Sequence, residues 1–333
     1  MVNREELLKH VRKPEVSKVS YAESSEDFSE LQKRLFALAE NAKAEIDKHL
    51  KSQKDEGKKA VVLKQINSLR LRAQVIHKEL GPWAADVFVA TCVERFKTVI
   101  TEKTENDPLW ALDSKEKQCL MRLLTPLIPA IDQTRHWGSQ PDLLSQKAEL
   151  LMQTIADNYS PGCRIIVFAE QRATVIMLAH LLSVHPLTKG IAAGYFLGLS
   201  SYANRKPNIV ELDWSNKYKH ELDDFRSGKK SILVATSVLE EGIDVPACNI
   251  VICYDPPKEL RSFIQRRGRA RDRNSKLITF VNENDPDSNE KWTLMEAALK
   301  RIYEDNTRAM EEILAQEEVE EESTEYFKLK STE

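Results

Sequence analysis

The sequence predicts an α/β domain, a parallel sheet with helices on both faces, joined to an all-α helical bundle that precedes it. Three observations carry that prediction. From Phe28 to about Ile131 apolar residues recur every three or four positions, the period of one helix face. The turn-forming stretch His136–Pro141 (HWGSQP) interrupts it. Beyond it, apolar runs of strand length alternate with amphipathic segments, the order that builds a parallel sheet wrapped on both sides.

In the bundle, Phe28, Leu31, Leu35, Leu38 and Ala42 form the first stripe, and Val62, Ile66, Leu69, Ala73, Ile76 and Leu80 the second. Gly81 and Pro82 break the pattern before Val87, Phe88, Cys92, Phe96 and Val99. After a polar break at Asn106–Pro108, Leu120, Leu123, Leu124, Leu127, Ile128 and Ile131 repeat the spacing, with a kink expected at Pro126. The α/β part reads as strand Arg164–Ala169, helix Ala173–Leu182, strand Ile191–Leu197, a helix around Glu221–Phe225, strands Ile232–Thr236 and Ile250–Tyr254, helix Glu259–Gln265 and strand Leu277–Val281. Helical spacing returns at Trp292, Met295, Leu299 and Tyr303, and Met310–Tyr326 holds eight Glu with no Lys or Arg, the pattern of a solvated tail. The expected divisions are 1–25, 26–135 for the bundle, 136–290 for the α/β domain and 291–333 for the terminal helix and acidic tail.

At 333 residues, 41% hydrophobic and 30% charged, with a mean hydropathy of −0.46, the composition is that of a folded chain with ample core material. No run approaches the eighteen or so apolar residues of a membrane helix, and Met1–Lys13 lacks the apolar centre of a secretory signal. Cys92, Cys119, Cys163, Cys248 and Cys253 are an odd number without a CxxC pair. Reduced core thiols in a cytoplasmic or nuclear protein are expected, and no metal site. The formal charge is only −3, but it is unevenly distributed.

Between Arg261 and Lys276 stand six arginines and one lysine against one acid. A solvated basic face is the ordinary reading of such a run. Here Gly268 and Ala270 alternate with Arg269 and Arg271, a spacing expected to aim both guanidinium groups at one anion, with Gln265 one turn earlier. Planar, permanently charged forks suit a transferring phosphoryl group. Upstream, Thr236 and Ser237 fall at the carboxyl end of a predicted parallel strand, where such sheets present functional groups. Strand-end capping is the alternative for these two hydroxyls. Gly242 is expected where backbone passes close to another group, with Asp244 just beyond it.

These strings resemble superfamily 2 RNA helicases. ATSVLEEGID (Ala235–Asp244) and QRRGRAR (Gln265–Arg271) are similar to motifs V and VI, IVFAEQR (Ile166–Arg172) to motif IV, and GYFLGLSS (Gly194–Ser201) to motif IVa. The form of motif VI, with a helical insertion ahead of the domain, resembles the Dicer and RIG-I-like branch, and within it the Dicer-like proteins of fungi. The resemblance implies a second RecA-like domain with a helical insertion, residues 1–25 being a connector or the end of a first RecA-like domain. It implies that Arg269 and Arg271 act as arginine fingers on ATP beside Gln265. Gly242 and Asp244 would couple nucleotide recognition to domain closure. Arg172, Ser200, Ser201, Thr236 and Ser237 would touch phosphates and 2′-hydroxyls of double-stranded RNA, without reading its sequence. Lys64, Arg70, Arg72 and Lys78 on the insertion offer further basic groups.

The sequence contains neither a GxxxxGK[ST] phosphate loop nor a DExH or DExD box to hold magnesium, and no paired acidic signature of an RNase III domain. ATP with Mg is therefore expected to be bound only in a parent enzyme that supplies the first RecA-like domain and RNase III domains, this chain alone being inactive. Two other readings stay open: a RIG-I-like RNA sensor, and an RNA-binding module with no nucleotide role. The bundle is expected to be removable, so that deleting Glu26–Asp132 leaves the sheet folded.

Overall fold

The computed structural model describes residues 14–23, 27–105, 107–134, 143–198, 207–211, 218–240, 242–272, 274–285, 294, 295, 297, 298 and 301. Helix α1 (Glu30–His49) opens at Ser29, whose hydroxyl accepts from the Gln32 amide at 3.1 Å. Such a cap is worth about 1 kcal/mol. Its stripe of Leu31, Leu35, Ala42 and Ile46 is buried against α2 (Glu56–Leu80), which buries Val62, Ile66, Leu69, Ala73, Ile76 and Leu80. Gly81 ends α2 at φ 97°. A Cβ there would lie 2.5 Å from the Ser145 nitrogen and 2.6 Å from the Leu143 carbonyl oxygen, so only glycine fits.

Pro82 starts α3 (Pro82–Thr101) at the position where a missing N–H costs nothing. A capping box between Asp113 and Glu116 starts α4 (Ser114–Leu124). Pro126 falls in a 3-10 turn, Thr125–Leu127, and the chain resumes as α5 (Ile128–Thr134). The expected break at this proline is thus a tightened turn. The expected boundary His136–Pro141 lies outside the described residues.

Helix α6 (Gln146–Asn158) leads into the α/β part: β2 (Ile165–Phe168), α7 (Arg172–Val184), β3 (Ala193–Phe196), α8 (Tyr218–Ser227), β4 (Ile232–Ala235), β5 (Ile250–Cys253), α9 (Leu260–Arg267) and β6 (Lys276–Asn282). Residues 1–25 carry no strand in the sequence expectation, yet Glu15–Tyr21 form β1, paired parallel to β6 from Glu15 opposite Lys276 to Tyr21 opposite Asn282. Its Val-x-x-Val-x-Tyr spacing is too short and too interrupted by polar residues to stand out. The described strands form one six-stranded sheet in the order β1-β6-β5-β2-β4-β3, every pair parallel. Residues 294, 295, 297, 298 and 301 are helical, while the rest of the expected terminal helix and the acidic run lie outside the described residues.

Period-two alternation assigns the sheet's two faces. Ile165, Val167, Ile232, Val234, Ile250 and Ile252 join a core shared with α6, α7 and the whole bundle. Ile166, Phe168, Leu233, Ala235, Val251 and Cys253 join a second core under α8 and α9, closed by Leu222, Phe225 and Phe263. Trp83 of the bundle stacks on His180 of α7 at 6.0 Å and 7°. The bundle therefore covers one sheet face rather than projecting from it. Removing it would uncover buried aliphatic side chains worth roughly 1.5–3 kcal/mol each, which corrects the expectation that the sheet survives its deletion.

The five cysteines are free and buried. One buried acid stands out in the bundle. Asp86 of α3 accepts from Ser29 Oγ at 2.7 Å and Gln32 Nε2 at 2.8 Å, and burial pushes its pKa up to about 6. Asp86 Oδ2 and Gln32 Oε1 have no hydrogen-bond partner.

Candidate functional site

All strands being parallel, the loops after β2, β3, β4 and β5 emerge along one edge of the sheet. Half-buried Thr236 and exposed Ser237 follow β4 directly, at the start of the 3-10 turn Ser237–Leu239. The Thr236 side chain makes no capping bond there. Arg172 opens α7 after β2, and its Nη1 donates at 2.9 Å to the carbonyl of Gly198, just beyond β3. Its Nη2 pairs with Glu211 at 3.3 Å, while its buried Nε has no hydrogen-bond partner. Arg172 thus props the loop that leads to Ser200 and Ser201, which themselves lie outside the described residues.

Helix α2 lies across this same edge. Gln65 accepts from the Ile209 amide at 2.8 Å and donates to the Pro207 carbonyl at 2.7 Å, in the connection beyond β3. Arg72 donates to Gln171, just past β2. The carbonyl of Glu79 accepts from the hydroxyl of Tyr254, just past β5. These three residues are seven apart, about 10.5 Å along the helix axis at each step, and they meet the strands in spatial order. Of the other insertion bases, Lys64 is exposed, Arg70 donates to Gln74 at 3.2 Å and Lys78 pairs with Glu23 at 2.9 Å.

The arginine cluster is not one basic face. Arg266 is 6% exposed; its Nε donates to Glu240 Oε1 at 2.8 Å, its Nη1 donates to the Asp255 carbonyl at 2.6 Å, and its guanidinium lies 5.0 Å from the Phe168 ring centre. Arg269, 9% exposed, donates through Nη1 to the Ile243 carbonyl at 2.9 Å and through Nη2 to the Glu240 carbonyl at 2.8 Å. Burial and then the nearby Arg271 charge lower its pKa, but a guanidinium stays protonated near neutral pH. Arg271 is exposed, and its Nε turns back to the Gly268 carbonyl at 2.6 Å. Within the chain the two arginines bond different carbonyls and share no protein acceptor. The reason is local: bonds from the Arg269 amide to Arg266 and from the Ala270 amide to Arg267 turn the chain tightly out of α9, folding 269 inward and leaving 271 outside.

Gln265 is half-buried on α9. Gly242 is exposed at φ 75°, and a Cβ on it would meet nothing within 4 Å. Its backbone dihedral, rather than the close approach expected, explains the glycine. Asp244 is exposed, and its carbonyl accepts from Arg226 Nε at 3.1 Å and Nη2 at 2.8 Å. Arg269 is thus seated on the loop after β4, bonding the Glu240 and Ile243 carbonyls on either side of Gly242, in the same loop that begins with Thr236 and Ser237.

Sequence reasoning overlooked Glu240, Arg226 and Arg266 as the groups that hold this loop. Counting charges gives Arg266 away only as one basic residue among six.

Among the described residues no cluster of three or more His, Cys, Asp or Glu side chains could hold a metal ion, and no helix is long and apolar enough to cross a membrane.

Residues 146–274 match the helicase conserved C-terminal domain. Over 99% of its length the chain is 38% identical to Dicer-like protein 2 of Coccidioides immitis (strain RS), covering 24% of that protein. It is 36% identical over 99% of its length to Dicer-like protein 2 of Aspergillus terreus (strain NIH 2624 / FGSC A1156), covering 25% of it. The chain therefore spans about a quarter of the length of the curated relatives it matches. The crystal structure of the Pyrococcus furiosus Hef helicase domain is 20% identical, with a TM-score of 0.40 covering 87% of this chain and 60% of that one.

Proposed function

Since residues 146–274 are a helicase conserved C-terminal domain within a chain similar along 99% of its length to fungal Dicer-like proteins, we propose that it forms the second half of an ATP-driven double-stranded RNA motor acting in RNA silencing. A first RecA-like domain and RNase III domains, supplied by the parent protein, would complete the enzyme. ATP would be hydrolysed between the two RecA-like domains, with magnesium neutralising its phosphates.

Arg269 and Arg271 act on the phosphates and Gln265 adds an amide contact. Gly242 and Asp244 belong to the segment that responds to domain closure. Arg172, Thr236, Ser237 and the Ser200–Ser201 pair contact phosphates and 2′-hydroxyls of the duplex.

The observation that carries this reading is the seat of Arg269. A patch that only attracts RNA needs positive charge at the surface and nothing more. Arg269 is instead buried and oriented by two carbonyls of the Glu240–Ile243 segment, which is how a group is preorganised to meet charge that develops during a reaction. Its Nε and second N–H protons remain for a phosphate.

The test is Arg269→Lys in the full-length protein. Lysine keeps the charge and loses the fork. RNA-stimulated ATP hydrolysis should fall by a factor on the order of 10³ to 10⁵, with duplex affinity in the absence of nucleotide unchanged. Loss of affinity with hydrolysis per bound complex intact would instead make the arginine cluster an RNA-binding patch and overturn the role given to Arg269.

A further inference from the structure

Lys147 is a buried cation outside the arginine cluster and the hydroxyls of the sheet edge. Its side chain, on the first turn of α6, is 4% exposed. Its Nζ donates to Glu79 Oε2 and, at 3.0 Å, to Asp255 Oδ1, and it lies 4.2 Å from the Tyr254 ring centre and 5.0 Å from that of Tyr21. Burial alone would favour the neutral amine, but the Asp255 and Glu79 carboxylates hold its pKa above the ordinary lysine range. The lysine therefore remains a cation clamped between the C-terminal end of α2 and the loop after β5.

Both of its partners lead further. Asp255 Oδ2 accepts from the Glu170 amide at 2.6 Å, and the Asp255 carbonyl accepts from Arg266. Arg266 pairs with the Glu240 carboxylate, and the Glu240 carbonyl accepts from Arg269. On the other side, the Glu79 carbonyl accepts from Tyr254 and, at 2.6 Å, from Ser145 Oγ, so the end of α2 cannot shift without α6 and the β5 loop. Helix α2 is also the element that crosses the carboxyl edge of the sheet, where the proposed RNA contacts lie. A set of hydrogen bonds thus runs from that edge to Arg269; Lys147 joins its two halves through side-chain charges, beside the Tyr254 hydroxyl bond to the Glu79 carbonyl.

We infer that Lys147 is a positioning residue: it ties the end of α2 to Asp255 and, through Arg266 and Glu240, to Arg269, so that stimulation of hydrolysis by duplex RNA depends on it. The inference rests on the function proposed for this chain. Lys147 touches neither RNA nor nucleotide in this arrangement. Its effect belongs in turnover and not in the binding of either.

The experiment compares Lys147→Met, Glu79→Gln and the double variant in the full-length protein, measuring duplex-stimulated kcat, KM for ATP, duplex Kd without nucleotide, and melting temperature. Lys147→Met should lower the stimulated kcat at least tenfold, with KM and Kd within twofold of wild type. Glu79→Gln keeps an oxygen for the ammonium group and should lower kcat less, in the same parameter. The double variant should be no worse than Lys147→Met, because both changes cut one connection. A lower melting temperature with kcat unchanged would make Lys147 a structural ion pair and overturn the inference, as would losses that multiply in the double variant. Removing one partner of a buried pair can prevent folding; should Lys147→Met fail to fold, an unchanged kcat in Glu79→Gln overturns the inference by itself. Absence of duplex-stimulated turnover in the wild type is read before any variant and would fail the functional proposal instead.

Discussion

Arg269 reaches the backbone carbonyl of Glu240 at 2.8 Å, and the Glu240 carboxylate in turn holds Arg266 at 2.8 Å. One residue thus fixes two arginines by two different atoms, and the segment after β4 and the end of α9 form a single unit. That arrangement separates the effects of changing Arg269 from those of changing its neighbour.

Arg269→Ala should destabilise the chain by about 1–3 kcal/mol, because two inward carbonyls lose their donors. Arg271→Ala, at an exposed position, should stay within about 0.5 kcal/mol. Chemical denaturation of the purified chain measures both, and equal losses would contradict the buried seat of Arg269.

The purified 333-residue chain should show no ATP turnover with or without duplex RNA. Arginines cannot act on phosphates that no other group positions. Robust turnover that Arg269→Ala abolishes would mean that the chain holds the nucleotide by itself.

Asp86 makes stability depend on pH with a definite sign. Its pKa is raised by burial from the usual carboxylate value to about 6 in the folded chain. The folded state therefore holds its proton where the unfolded state has lost it, and this contribution to stability declines as pH rises from about 4 to about 6. It is flat above that range. Asp86→Asn offers an N–H in place of that proton, so it should remove this pH dependence and raise stability at pH 7.5 by about 1–3 kcal/mol. Denaturation midpoints at pH 4.5, 6 and 7.5 for both proteins check it.

Two glycines should respond unequally to alanine. At Gly81 the new Cβ meets backbone at 2.5–2.7 Å as well as a positive φ, and the cost should be at least about 2 kcal/mol. At Gly242 there is open space, and only the dihedral cost of about 1–2 kcal/mol applies. Melting curves of the two variants should show the larger loss for Gly81→Ala.

Periodicity made most of the architecture legible. Helix α2 and the four central strands each bury a face that spacing alone identifies, and the break at Pro126 is explained by its missing N–H. Strand β1 was hidden because an edge strand needs only half of its residues apolar, and Lys18 and the serines mask the alternation in so short a run. The arginine string marked the right segment, but linear charge cannot say that Arg266 and Arg269 turn inward while Arg271 stays outside; the difference comes from carbonyls contributed by residues more than twenty positions away. Lys147 carried no signal at all, since its partners Glu79 and Asp255 come from opposite sides of it in sequence.

The contacts of α2 at Gln65, Arg72 and Glu79 act as a ruler laid over the sheet. Each residue added to an α-helix rotates the remainder of the helix by about 100° and advances it by about 1.5 Å, so one insertion between Gln65 and Glu79 would swing every later contact off its loop. A full seven-residue insertion restores the direction but overshoots the neighbouring strand by about two strand spacings. The length of this helix between its first and last contact is therefore set by the width of the sheet it crosses, and engineering that varies the insertion's size has to place the change outside residues 65–79.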